Sequence, residues 1–414
     1  MNITTGRPLR GGRLAFLLVI VLVVAVGVPL WLVHHHDQYV VPTTGPHRSA
    51  APTEQPAAAA SALARLEQAI ADRDTTAVSG PLLPAVVGNA AQLGVTAFTA
   101  RYVAADSGAD GAVAADGSWT ADVALTWRFA GDPAGVSEEV LTRFAPTASG
   151  VAVTGFAGDD GHRLPLWLTG PLTVRHTAEV TVAVAGADSG AEADHYRSLA
   201  TRAVATVRRV VPWPRPHLVL DVPADESTLE QMMGAAPGSY HGVAAVTTSV
   251  DGSASGPVHV FVNPQVIGGL NSQGAQIVLS HEATHDATGV ASNTTLPPWL
   301  LEGFADYVAL RDVDLPLATT AGQILAEVRT DGPPPHLPGP AEFNAQAEDF
   351  GAEYEAAWLA CRLLAQRGGE QSLVHLYDEV KAGAAVGRTM RREFGFGVAA
   401  FTRDWQRQLQ RWAG

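Results

Sequence analysis

Two histidines four positions apart, with a glutamate beside the first, open the stretch HEATHDATGVASNTTLPPWLLEGFADYVAL, which runs from His281 to Leu310. Residues i and i+4 share one face of an α-helix. His281 and His285 would therefore aim both imidazoles at one point, with Glu282 one step round. Imidazole nitrogens and carboxylate oxygens in tetrahedral array suit zinc, and a catalytic zinc keeps one of its four positions for water. Two histidines fill half of that array. Glu302, seventeen positions after His285, is the obvious third ligand, because the loop of residues 290–298 can turn the chain back into a second helix. Asp306 follows Glu302 by four, on the same face. A carboxylate there can accept the other ring N–H of a ligating histidine and fix its tautomer. Glu282, beside the metal but not on it, is the expected general base.

The elements that must position these side chains are marked by their ends. Asn271 or Ser272 can cap the first helix and Gly289 can stop it; the second can start at Pro297 or Pro298, where proline is tolerated. Upstream, residues 172–186 read as one strand, 191–211 as a helix, and 216–223, 242–250 and 257–264 as three more strands. The last of these, PVHVFVNP, is bounded by Gly and Pro and reads as a sheet edge that would hold a substrate backbone by strand addition. His259 on it is expected to face solvent. Helices follow over 297–310, 348–369 and 369–380, with a last one ending at Trp412. Strands first and helices afterwards predict an α+β domain over residues 171–414.

A smaller α+β domain is expected over 61–170. Apolar residues at Leu63, Leu66 and Ile70 have helical spacing, and four alternating segments separated by turns follow. In element order alone it is similar to cystatin-like or nuclear-transport-factor-like accessory domains. Residues 34–60, rich in Pro, Ala, Ser and Thr, read as a linker. Leu14–Val33 is twenty residues without a charge, long enough to cross a bilayer. Arg7, Arg10 and Arg13 precede it and no Lys or Arg follows until Arg48. That bias predicts a cytoplasmic tail (1–13), a single-pass anchor (14–33) and outward-facing domains at the cell membrane. A small-x-small site at Ala25–Gly27 would suit a cleaved signal peptide. The apolar run continues past it, however, and favours an uncleaved signal anchor.

The formal charge of −14 excludes a nucleic-acid partner on electrostatic grounds, since nothing basic is left over to neutralise phosphates. The single cysteine, Cys361, lies in an apolar helical pattern and reads as a buried small hydrophobe.

The run His-Glu-x-x-His followed by LPPWLLEGFADYVAL resembles the gluzincin metallopeptidases of the thermolysin-like clan, and within them a small bacterial branch with a Pro-x-Trp-Leu-x-Glu-Gly-x-Ala motif. Trp299, Leu300, Glu302, Gly303 and Ala305 match in place. The resemblance covers about residues 171–414 and rests chiefly on 281–307. It implies one zinc per chain on His281, His285 and Glu302, Glu282 as base, Asp306 behind a ligating histidine, and a peptide or protein as substrate. The oxyanion donor of such enzymes has no motif here. Tyr354, in a helix that must pack behind the site, is the first candidate and His241 a weaker one. The expectation is a membrane-anchored zinc peptidase. The rivals are a tethered binding or regulatory protein with a non-catalytic zinc domain, and a hydrolase of a non-peptide amide.

Overall fold

Period-two alternation carries the first sheet: from Trp119 to Trp127 every second residue of the strand is buried. The computed structural model describes residues 53–105, 113–159, 161–290, 296–343 and 350–414. Over them the protein is α+β, with two sheets and thirteen α-helices. Strands β1 (Thr96–Ala105), β2 (Trp119–Arg128), β3 (Val136–Thr147) and β4 (Gly150–Ala157) form an antiparallel meander. Helix α1 (Pro56–Asp72) buries Leu63, Leu66 and Ile70 in the core beneath it. It begins inside the stretch expected to be linker. Pro56 is pre-set for a first turn and four alanines, the best helix formers, follow it.

Helix α2 (Leu83–Leu93) has no counterpart in the sequence reading, because Gly88 and Asn89 interrupt its apolar pattern. Asn89 is buried for a reason. Its amide donates to the carbonyls of Trp167 (2.9 Å) and Gly170 (2.7 Å), and its oxygen accepts from Leu172 N–H at 3.2 Å. It thus clamps the 3-10 turn Leu166–Leu168 that leads from the first sheet to the second.

The second sheet contains β5 (Leu172–His176), β6 (Val180–Ala185), β7 (Leu218–Val222), β8 (Ala245–Ser249) and β9 (Val258–Val262), in the order β5-β6-β7-β9-β8. Two expectations are corrected here. Residues 172–186 are a hairpin rather than one strand. The Thr177 hydroxyl accepts from the N–H groups of Glu179 and Val180 (3.2 and 3.0 Å) and makes the turn without Gly or Pro. Strand β9 is not an edge either, because it lies between β7 and β8, and β8 is the edge. His259 accordingly does not face solvent; it is 2% exposed. Its strand, VHVFV, is buried at both parities from His259 to Val262, as a strand covered on both faces should be.

Helix α3 (Gly190–Val207) connects β6 to β7, and α4 (Glu226–Met233), not expected from the sequence, follows β7 with Asp225 capping Thr228 N–H at 2.7 Å. After β9 come α5 (Pro264–Ile267), α6 (Ser272–Thr288), α7 (Pro298–Leu310), α8 (Leu317–Thr320), α9 (Gly322–Asp331), α10 (Phe350–Gly368), α11 (Glu370–Lys381), α12 (Val386–Phe394) and α13 (Val398–Ala413). One face of the second sheet, with Val182, Leu220 and Val260, shares a core with these helices; Ala183 and Phe261 belong to the core of the first sheet. Cys361 is fully buried among the helices, as expected. The expected anchor over 14–33 lies outside the described residues, and no described helix is long and apolar enough to cross a membrane.

Candidate metal centre

Helix α6 is fixed at both ends. The Asn271 side chain accepts from Gln273 and Gly274 N–H at 3.0 and 2.9 Å, and Gly289 ends the helix in the left-handed region at φ 68°. That conformation costs glycine least. Helix α11 secures the same end: Tyr377 donates to Thr288 Oγ1 (3.2 Å) and Lys381 to the Thr288 carbonyl at 3.0 Å. A cation there meets the negative end of the helix dipole.

Helix α7 starts at Pro298 and buries Trp299, Leu300, Phe304 and Val308. It lies unusually close to α10. A Cβ on Gly303 would sit 2.3 Å from the Ala357 carbonyl oxygen and 3.1 Å from Cys361 Sγ. The glycine of the Glu-Gly-Phe-Ala run is therefore a packing requirement. It lets Glu302, one residue earlier, come up against α6.

The result is a tight three-atom group. His281 Nε2 and His285 Nε2 are 3.0 Å apart, and Glu302 Oε2 is 3.1 Å from the first and 3.3 Å from the second. An ion held tetrahedrally at 2.0–2.1 Å separates its ligand atoms by about 3.3–3.4 Å, so two imidazoles and a carboxylate fit a shared metal ion. Asp306 Oδ1 is 2.8 Å from His281 Nδ1. It accepts a hydrogen bond from the Nδ1–H and leaves Nε2 as the ligand atom.

Charge tells the same story. Burial disfavours a charged His281, yet Asp306, Glu302 and Glu282 outweigh it and push the imidazole well above its usual range. Burial likewise works against ionised Glu302, and His285 and His281 override it, holding the carboxyl well below the usual range. The group favours positive charge at its centre.

Glu282 is nearly buried and turns toward the edge strand, where Thr247 Oγ1 donates to its Oε2 at 2.6 Å. Above the group lies a cleft of two adjoining pockets, about 230 and 290 Å³. Val243 and Ala245 border both, as do His281, Glu282 and Tyr354. The Tyr354 ring stands 5.9 Å from that of His281 and 5.1 Å, edge-on, from that of Phe343. Burial, then the charges of Glu302, Glu282 and Asp306, push its hydroxyl far up, so it remains a donor.

Six of the seven residues singled out from sequence (His281, Glu282, His285, Glu302, Tyr354 and Asp306) meet here. His241 does not; its side chain is 88% exposed, 3.7 Å from Glu226. Sequence reasoning misses Thr247, which stands thirty-five positions before Glu282 with β9 and α5 in between. A second group, Asp122, Glu139 and His162, also brings ligand-type atoms together, but Glu139 is exposed and His162 is held by Asp159 at 2.7 Å. No family model matches the chain, and no curated protein is detectably similar to it in sequence.

Proposed function

We propose that the protein is a zinc-dependent peptidase of gluzincin type, with residues 61–170 as a cystatin-like accessory domain. We also propose that it is held at the outer face of the cell membrane by the segment 14–33. The observation that carries the reading is a buried carboxylate that is not a ligand, Glu282, placed beside the His281, His285 and Glu302 group at the floor of a cleft. A purely structural metal site has no use for it.

Zinc held by these three residues would bring a water's pKa to about 7 and polarise a carbonyl. The chain's own residues do the rest. Edge strand β8 turns the main chain of Ala245 and Thr247 away from β9, the direction from which an extended peptide would pair. Glu282 takes the proton from the attacking water and hands it to the leaving amine. Tyr354, protonated at working pH, donates to the oxyanion as it develops. Asp306 keeps the His281 ring aligned.

Elemental analysis and peptide-library digestion of the purified chain test this. Wild type should retain one zinc and cleave peptides. Glu302→Ala should lose the zinc, and Glu282→Gln should keep it and cleave nothing. Zinc without cleavage in wild type would favour the binding role or another bond. No zinc after reloading would end the proposal.

A further inference from the structure

Thr247 makes the shortest contact to the Glu282 carboxylate, and it does so from the edge strand. Its hydroxyl lies 2.6 Å from Oε2 and 3.1 Å from the Glu282 main-chain carbonyl. The shorter bond has the length of a charge-assisted O–H···O. Thr247 is 7% exposed and Glu282 8%. A β-branched side chain on a strand has few rotamers, so the hydroxyl is placed with little freedom.

The main chain of the same residue points elsewhere. In the β8–β9 ladder Ala244 O accepts from Asn263 N–H and Val250 N–H donates to Pro257 O, both at 2.9 Å. Pairing runs Ala245 to Val262, Val246 to Phe261 and Thr247 to Val260. Antiparallel strands alternate residues that bond the partner with residues that do not. Ala244, Val246, Thr248 and Val250 therefore turn their amides toward β9, while Ala245 and Thr247 turn theirs to the free edge. Ala245, Val246 and Thr247 of β8 line the cleft. Thr247 thus offers backbone to the cleft and hydroxyl to the base.

We infer that Thr247 is a positioning residue: it holds one oxygen of Glu282 so that the other faces the attacking water, and it ties the base to the strand on which the substrate docks. The inference rests on Glu282 being the base, as proposed above. Thr247 transfers no proton. When Glu282 swings to deliver its proton to the leaving nitrogen, the hydroxyl has the main-chain carbonyl of the same residue as its other acceptor. A buried donor therefore always has a partner, and the movement costs little.

The test pairs Thr247→Val, which keeps the shape and removes the hydroxyl, with Thr247→Ser, which keeps the hydroxyl. On the zinc-loaded full chain, Thr247→Val should lower kcat about 10- to 100-fold, the usual effect of removing an orienting partner. KM and zinc content should hold, and Thr247→Ser should restore most of kcat. Undiminished kcat in Thr247→Val, or equal losses in both variants, would overturn the inference while leaving the peptidase intact. A second measurement needs no activity. Urea midpoints of the metal-free wild type, Thr247→Val, Glu282→Ala and the double variant form a cycle. Non-additive shifts support the contact and additive shifts overturn it. A zinc-loaded wild type that cleaves no peptide would instead sink the peptidase reading, and the cycle would still decide the contact.

Discussion

At the scale of residues, the ligand group depends on side chains that hold other side chains. Asp306 binds no metal in this arrangement, yet it decides which His281 nitrogen carries a proton. Asp306→Ala should weaken metal retention about 10- to 100-fold without changing any ligand, and titration with a competing chelator measures it. Affinity equal to wild type would mean that packing alone sets the His281 ring. Glu302→Ala, by contrast, removes a ligand, and its loss of metal should be far larger in the same titration. His281, Glu282, His285, Glu302 and Asp306 were legible because their spacing lies within helices, where four residues bring a side chain back to the same face. Tyr354 was placed by its helix packing behind the site. The link from Thr247 to Glu282 crosses thirty-five positions and two elements, and nothing local announces it.

At the scale of elements, the site is two helices held at fixed spacing by a third. Helix α7 meets α10 at Gly303 and Ala357, and the close approach carries Glu302 to α6. Alanine is usually favoured over glycine inside a helix by about 1 kcal/mol. At Gly303 the added methyl would meet a main-chain carbonyl, so Gly303→Ala should instead destabilise by about 1–3 kcal/mol and weaken metal binding. Urea unfolding and elemental analysis read the two effects. A stabilised variant would show that α7 can move away from α10 at no cost. Helix ends with a chemical cause were legible: Asn271 and Gly289 for α6, Pro298 for α7. What escaped were features set by tertiary context. The order of β8 and β9 is not written in either strand, so in sequence the inner strand reads as the edge. The β5–β6 turn used a threonine where Gly or Pro is the usual mark, and α2 hid behind the Asn89 that it needs for clamping.

At the scale of the whole molecule, the second sheet is pinned to the first through buried charge. His259, on β9, has Nδ1 2.7 Å from Asp221 Oδ2 and Nε2 3.5 Å from Asp132 Oδ2. Asp132 comes from the loop between β2 and β3, and His217 approaches its other oxygen at 3.6 Å. Burial disfavours charge on His259, but Asp221 and Asp132 override it and push its pKa up to about 10 from an ordinary 6.5. A folded value above the unfolded one means that the native state binds the proton more tightly. The stabilisation is therefore complete below pH 6.5 and drains away as pH rises through 10. At pH 7, His259→Gln leaves two buried carboxylates without their cation and should cost about 3–5 kcal/mol. The gap between wild type and variant in urea midpoint should then close as pH rises from 7 to 10.5. A gap that stayed constant would mean that His259 is neutral throughout, and that its contacts to Asp221 and Asp132 carry no charge pairing.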